Sequence, residues 1–171
     1  MKVLGFDPGT ATTGFGLVRS VAGKLEPIDA GVLLTTPDMA IEQRLLSIHA
    51  DVHTLLDRHQ PDAVAIERLF FDRNVTNALS VGRAIGVILL AVAESGLGVV
   101  EYTPMQVKTA VTGYGGADKA QVQAMVVRLL GLQETPKPDD AADALAVAIC
   151  HAHSHRLREA GVTRSRGHRR G

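Results

Sequence analysis

The sequence of 171 residues has few of the features that mark secreted, membrane-bound or disordered proteins. Its one cysteine, Cys150, excludes an intrachain disulfide and is typical of a reducing compartment. The longest apolar run, residues 84–93, is far shorter than the roughly 20 residues of a membrane-spanning helix. Asp7 interrupts the first apolar run, which excludes a signal-peptide core. We therefore expect a globular, cytoplasmic protein that does not associate with membranes.

An excess of charge of one sign is also missing, because 18 basic residues balance 18 acidic ones. The balance is uneven along the chain: residues 151–171 hold six arginines and one glutamate, a net of +5, whereas residues 1–150 carry a net of −5. A basic terminal segment is typical of a nucleic-acid-binding arm, although it also fits a solubilising terminus. We expect a folded domain over residues 1–157 and a flexible basic tail over residues 158–171.

The order of apolar segments predicts an α/β fold. Three strand-like segments come first, near residues 3–6, 15–18 and 25–36, and strands at 62–67 and 99–102 alternate with helical segments after them. This order favours a mixed five-stranded sheet flanked by helices, without a linker that would divide domains. The first helix is predicted to open at Pro37 and Asp38, and the later helices span about residues 76–93, 104–112, 117–130 and 139–157.

Acidic residues follow two of the predicted strands and begin the last helix. Asp7 and Glu67 each end an apolar run, the position at which a sheet opens onto a ligand crevice. Asp140 and Asp143 share one helix face, and Asp139 competes with Asp140 because it also shares a face with Asp143. Two carboxylates about 4 Å apart repel by about 4 kcal/mol at an effective dielectric constant of about 20. Bound divalent cations would reverse that sign, and an all-oxygen ligand set suits Mg²⁺ or Mn²⁺.

Each acid also has an ordinary structural explanation. The segment from Asp7 to Gly9 has the composition of a turn, and Pro138 followed by two aspartates is a common helix start. Spacing along the chain does not show that the four carboxylates converge, so both interpretations stay open at this point.

Aromatic and basic residues near these acids fit contact with nucleic acid. Phe70 and Phe71 follow Glu67 in a polar stretch, and exposed aromatics of this kind stack on bases, although Phe71 fits the core equally well. Lys108 and Lys119 are the only lysines between residues 24 and 137. Lys119 follows a glycine-rich loop at a helix start, where free N–H groups favour phosphate, but Asp118 opposes an anion there.

Four segments, residues 5–18, 61–71, 101–122 and 138–153, resemble in order and spacing the RuvC family of Holliday junction resolvases. These are crossover junction endodeoxyribonucleases of the RNase H-like fold, and the likeness extends to about residue 155. The resemblance implies that the catalytic and metal-binding acids are Asp7, Glu67, Asp140 and Asp143. It also implies two Mg²⁺ ions per subunit, with Mn²⁺ as a substitute, and a water nucleophile.

The same resemblance implies how DNA is bound. Phe70 would wedge into the junction centre, Arg73 and Asn74 would face the phosphate backbone, and Lys108 and Lys119 would contact phosphates near the cleaved bond. The family acts as a homodimer on four-way junction DNA, nicks two strands of like polarity and leaves 5′-phosphate and 3′-hydroxyl ends. A branch-migration motor of the RuvA and RuvB type commonly works alongside it.

A junction-binding scaffold that has lost its metals is disfavoured by the intact set of acids, and two other functions compete with the resolvase. One is another RNase H-like nuclease, which would act on RNA–DNA hybrids or process RNA. The other is an actin-like ATPase lobe, because residues 7–10 with Gly14 resemble a first phosphate loop. That class needs a second lobe and a second phosphate loop, for which 171 residues leave no room. Gly82 and Gly86 form a G-x-x-x-G pattern, which is typical of close packing on the sheet. Because the RuvC family is dimeric, the resemblance also makes their helix a candidate for the dimer interface.

Overall fold

A computed structural model describes residues 1–68, 75–159 and 161. Within them, five strands and five helices follow one another along the chain. They are β1 (Lys2–Asp7), β2 (Thr12–Val21), β3 (Lys24–Leu34), α1 (Ile41–His59), β4 (Ala63–Glu67), α2 (Val75–Glu94), β5 (Val99–Tyr102), α3 (Pro104–Thr112), α4 (Lys119–Leu130) and α5 (Asp139–Glu159).

The five strands form one mixed sheet in the order β3-β2-β1-β4-β5. The first three strands pair antiparallel, whereas β4 pairs parallel with β1 and β5 pairs parallel with β4. Parallel neighbours need crossover connections, and α1 and α2 lie in the segments that lead to β4 and β5. The predicted α/β class and mixed five-stranded sheet are confirmed.

Helices cover both faces of the sheet. Alternate strand residues point to opposite faces, so Leu4 and Phe6 of β1 pack with α1 and α2, whereas Val3 packs on the other side with α3, α4 and α5. These contacts form one hydrophobic cluster on each face of the sheet, and the central side chains of both clusters are fully buried. Among the described residues, none of the helices is both long enough and apolar enough to cross a membrane.

The last helix, α5, lies unusually close to the middle of the sheet. A Cβ atom on Gly16 would come 2.6 Å from the backbone nitrogen of Leu145, and one on Gly5 would overlap the carbonyl of Ala144. Real Cβ atoms essentially never approach that closely, so these strands accept α5 only because they carry glycine there. On the helix side, small buried alanines make the same approach possible.

Helix boundaries differ from the predictions where local turns intervene. The prediction that α1 opens at Pro37 and Asp38 is wrong: the Met39 amide donates to the Thr36 carbonyl in a turn, and the helix begins at Ile41. Helix α4 begins two residues later than predicted, because Asp118 is its N-cap. Helix α5 continues to Glu159, past the predicted end at residue 157. Except for Gly161, the tail after Glu159 lies outside the described residues, so its flexibility stays a prediction.

Candidate active site

Two carboxylates meet at the carboxyl edge of the sheet. Strands β1 and β4 run parallel in register, with Phe6 opposite Ile66, so Asp7 and Glu67 end neighbouring strands at the same edge. Both side chains are half-buried. Each acid thus ends its apolar strand as the sequence predicts, whereas the sequence leaves open whether the two meet at one edge.

The start of α5 is brought to the same edge by a glycine in β2. Gly14 lies directly opposite Asp7 in the antiparallel pair of β1 and β2. A Cβ atom at Gly14 would overlap the backbone carbonyl of Asp140, so the first turn of α5 sits on this bare strand position. Asp140 and Asp143 therefore reach the edge that carries Asp7, and residues separated by more than 130 positions become neighbours.

The electrostatics of Asp7 reflect the proximity of the other acids. Burial raises the pKa of the Asp7 carboxyl to about 7, with further increases from the negative charges of Asp143, Glu67 and Asp140. Lys119 opposes that shift. Repulsion between carboxylates acts strongly only at short range in a half-buried site. Asp7 thus stays partly protonated near neutral pH unless positive charge is supplied.

Glu67 and Asp143 are perturbed in the same direction. Burial and the charge of Asp143 raise the pKa of Glu67, while nearby Lys108 lowers it. Burial also raises the pKa of Asp143, against the hydrogen bond and charge of Lys119. Carboxyl groups with raised pKa values in one cleft are typical of a functional site.

The structure separates the roles of Asp139 and Asp140. Lys119 Nζ lies 2.9 Å from Asp143 Oδ2 and 3.4 Å from Asp139 Oδ2, so it pairs with both aspartates. Asp139 is not among the charges that raise the pKa of Asp7. Asp140 instead contributes to the repulsion at Asp7. This favours Asp140 over Asp139 as the fourth member of the acid cluster, defined here as Asp7, Glu67, Asp140 and Asp143.

Both lysines singled out in the sequence line the same small cleft. Lys108 and Lys119 border a space of about 210 Å³ together with Glu67 and Asp143. The start of α4 itself is closed to an anion, because Asp118 Oδ1 accepts from the Gln121 amide at 2.8 Å. Phosphate contact at this point therefore depends on the Lys119 side chain rather than on free helix N–H groups.

The acid cluster has the chemistry of a divalent-cation site. Its donors are carboxylate oxygens, which suit Mg²⁺ and Mn²⁺, and its mutual repulsion is what a bound cation would relieve. The carboxylate oxygens of the acid cluster are not drawn together as tightly as the ligands of a preformed metal site. Within the described ranges, three ligand atoms lie within 4.8 Å of one another only at His49, His53 and Glu94.

Part of the predicted DNA-contacting set lies outside the described residues. These positions are Phe70, Phe71, Arg73 and Asn74. Their assignment stays a prediction.

Sequence reasoning missed two features that the structure brings out. One is Gly14, which pairs with Asp7 across the strands. A glycine inside a predicted strand often marks the close approach of another backbone, and this could have indicated it. The other is the pair His49 and His53, whose signal is a four-residue spacing on a helix. Their third partner, Glu94, is 41 residues further on, so only the folded chain reveals it.

Comparisons with known proteins agree with this site. The model of a family described as crossover junction endodeoxyribonuclease RuvC matches residues 3–151. A curated relative of that name from Syntrophomonas wolfei is 55% identical over 157 residues, covering 92% of this chain and 91% of the relative. One from Chloroflexus aggregans is 53% identical over 154 residues, covering 90% and 94%.

Solved structures show the same likeness in three dimensions. A structure of Thermus thermophilus RuvC in complex with a Holliday junction substrate superposes with a TM-score of 0.88 and 43% identity, covering 92% of this chain and 96% of that one. A yeast mitochondrial Holliday junction resolvase superposes with a TM-score of 0.65 over 92% of this chain and 82% of that one. At 14% identity, this second likeness concerns the fold alone.

Proposed function

Because this chain belongs to the RuvC family of crossover junction endodeoxyribonucleases, we propose that it resolves four-way DNA junctions by nicking two strands of like polarity. The observation that carries the proposal is the convergence of Asp7, Glu67 and the α5 aspartates at one edge of the sheet. The solved relative with a Holliday junction substrate supports the choice of DNA. The activity belongs to homologous recombination and DNA repair. We also propose that the enzyme is cytoplasmic.

The acid cluster is the proposed catalytic and metal-binding centre. Asp7, Glu67, Asp140 and Asp143 would together hold two Mg²⁺ ions, with Mn²⁺ as a substitute, because four clustered carboxylates need about that much positive charge. Two bound ions supply an activated water and charge stabilisation for the departing oxygen. Cleavage of the bond between phosphorus and O3′ leaves the 3′-hydroxyl and 5′-phosphate ends.

Protein side chains prepare this centre before substrate arrives. Lys119 lowers the pKa of Asp7 and Asp143, and Lys108 does the same for Glu67, so the two lysines favour the ionised acids. Both ammonium groups border the cleft, where they can also contact the phosphates that flank the cleaved bond. Phe70 and Phe71 as stacking residues, and Arg73 and Asn74 as phosphate contacts, complete the proposed DNA-binding set.

A homodimer is proposed through helix α2. Leu79, Arg83, Gly86 and Leu90 are exposed at three- and four-residue spacing, so they form one stripe along this helix. A Cβ atom at Gly86 would meet nothing within 4 Å, so packing against this chain's own sheet does not explain the glycine. A second copy against the stripe would bring two active sites into one particle, as paired nicks require. A branch-migration motor of the RuvA and RuvB type is a further proposed partner.

A cleavage assay on three substrates tests the activity. Purified protein with Mg²⁺ is given a synthetic four-way junction, a linear duplex of the same sequence and an RNA–DNA hybrid. We expect symmetric nicks in the junction, which DNA ligase can seal. No cleavage is expected when EDTA removes the Mg²⁺. Cleavage of the hybrid alone would replace the proposal by another RNase H-like nuclease, and ATP hydrolysis without nicking would replace it by an ATPase.

The variant Asp7→Asn tests the role of the acid cluster. It removes one carboxylate from the most crowded position and keeps the size of the side chain. We expect junction binding to persist in a gel-shift assay while cleavage is lost. Loss of binding together with cleavage would assign Asp7 a structural role instead.

A further inference from the structure

A second cluster of metal-ligating side chains lies on the helices that cover one face of the sheet. His49 and His53 are four residues apart on α1 and therefore share one helix face. The imidazole Nε2 atom of each lies 2.8 Å from the same carboxylate oxygen, Oε2 of Glu94. The two rings meet edge to face with their centroids 4.6 Å apart. Three ligand atoms from two helices thus point at one small volume.

This cluster is separate from the acid cluster. Glu94 is the last residue of α2, and the chain then enters β5 at Val99, which pairs with Val64 near the start of β4. The group therefore sits toward the amino edge of the parallel strands, whereas Asp7 and Glu67 end β1 and β4 at the carboxyl edge. Its ligands cannot contribute to the proposed nuclease centre.

We propose that His49, His53 and Glu94 form a binding site for one Zn²⁺-type cation that joins α1 to α2. Two imidazole nitrogens and one carboxylate oxygen suit Zn²⁺ or Co²⁺, whereas Mg²⁺ prefers oxygen alone. Zinc bonds of about 2.0–2.1 Å in a tetrahedron separate neighbouring ligand atoms by roughly 3.3 Å. The present separations of 2.8 Å to Glu94 therefore need to widen by only about 0.5 Å.

The surroundings favour a cation and leave room for a fourth ligand. The side chains of His49, His53 and Glu94 are 28%, 31% and 46% exposed, so water can complete the coordination. A cleft of about 520 Å³ opens beside them, and Asp57 and Asp62 are among the residues that line it. Glu94 also ends α2, where the negative end of the helix dipole favours positive charge.

The expected consequence of binding is a clamp between two helices. Helices α1 and α2 pack on the same side of the sheet and share a hydrophobic cluster that includes Val52 and Ile88. An ion held by both helices binds the folded chain and not the separated ligands of the unfolded chain. Such an ion stabilises the folded state by RT ln(1 + c/Kd), where c is the free-ion concentration, so the gain grows as c rises.

A titration of the full-length chain tests the site. Excess Mg²⁺ is present throughout to occupy the oxygen ligands of the acid cluster. We expect one equivalent of Zn²⁺ by calorimetry and visible absorption bands of nitrogen-ligated ions on adding Co²⁺. The unfolding temperature should rise once that equivalent is bound and continue to rise with the logarithm of free Zn²⁺. The variants His53→Gln and Glu94→Gln should each lose that equivalent, the Co²⁺ bands and the thermal shift.

Two controls make the result specific. Glu42→Gln removes an exposed carboxylate from the first turn of the same α1 helix, and Asp7→Asn removes one from the acid cluster. Both should keep the equivalent and its spectrum. Circular dichroism reports the folding of each variant, and Glu94→Gln, at an exposed position, remains informative if a histidine variant unfolds. No Zn²⁺ binding, or unchanged binding in the cluster variants, overturns the proposal and leaves an ordinary ion pair.

Discussion

Replacing Gly14 by alanine tests whether the close approach of α5 creates the acid cluster. The new Cβ atom would overlap the Asp140 carbonyl, so either β2 or the first turn of α5 must move. Inserting a methyl group into a packed contact costs about 1–3 kcal/mol of the free energy of unfolding. For a chain of this length, that corresponds to a fall in unfolding temperature of roughly 2–12 °C.

Cleavage should be impaired even at temperatures where the variant is fully folded. Gly14 lies opposite Asp7, so the displacement separates Asp140 from Asp7 directly. A shift of about 1 Å at reacting groups can lower a rate by about 100-fold. Junction cleavage under single-turnover conditions, measured well below the unfolding temperature of the variant, is the assay.

Two glycine variants serve as controls for this prediction. Gly16→Ala places its Cβ 2.6 Å from the Leu145 nitrogen, five residues after Asp140 and two after Asp143, so it destabilises the same contact at a point further from Asp140 and Asp7. Gly98→Ala meets nothing within 4 Å and should change neither property. If Gly14→Ala and Gly16→Ala lose activity equally, or if Gly14→Ala keeps both activity and stability, the reasoning is refuted.

Other expected outcomes follow from single groups. The pKa of Asp7 is raised from 3.8 to about 7 in the folded state, so the metal-free protein should lose stability as pH rises from about 4 to 7. In urea titrations, saturating Mg²⁺ should abolish this dependence of the unfolding free energy on pH. A dependence that Mg²⁺ leaves unchanged would contradict a cation at Asp7. Lys119→Gln should weaken junction binding and reduce the slope of log affinity against log salt by about one, and an unchanged slope would argue against a phosphate contact. Asp140→Asn should abolish cleavage whereas Asp139→Asn retains it, and the reverse would exchange their assignments. Leu90→Glu on the exposed stripe of α2 should yield monomers in sedimentation experiments, and a dimer that persists would place the interface elsewhere.

Local signals in the sequence were sufficient for several elements. The predicted bounds of β5 and α3 are those of the structure, because Thr103 and Gln106 form a capping box and Pro104 starts the helix. The start of α1 could not be predicted in this way. Pro37 and Asp38 are typical of a helix start. In the structure they instead lie inside the turn that is closed by the hydrogen bond from the Met39 amide to the Thr36 carbonyl.

The candidate acids were visible in the sequence as residue types, but not as a cluster. Asp7 and Glu67 could be paired from the parallel strands that they end, since that geometry follows from the alternation of strand and helix. The choice between Asp139 and Asp140 could not be made, because both share a helix face with Asp143. The preference for Asp140 rests on the folded chain, where the charge of Asp140, and not that of Asp139, acts on Asp7.

By itself, the sequence determined the α/β class, the order of the strands and helices, and the acids available for chemistry, because these depend on periodicity and on neighbours along the chain. The tertiary structure alone decided which acids share a charge environment, since that depends on α5 lying against Gly14. It also decided that His49 and His53 meet Glu94. Contacts between distant segments depend on how helices pack on the sheet, and the strand glycines that permit the close approach of α5 do not by themselves show which helix lies there.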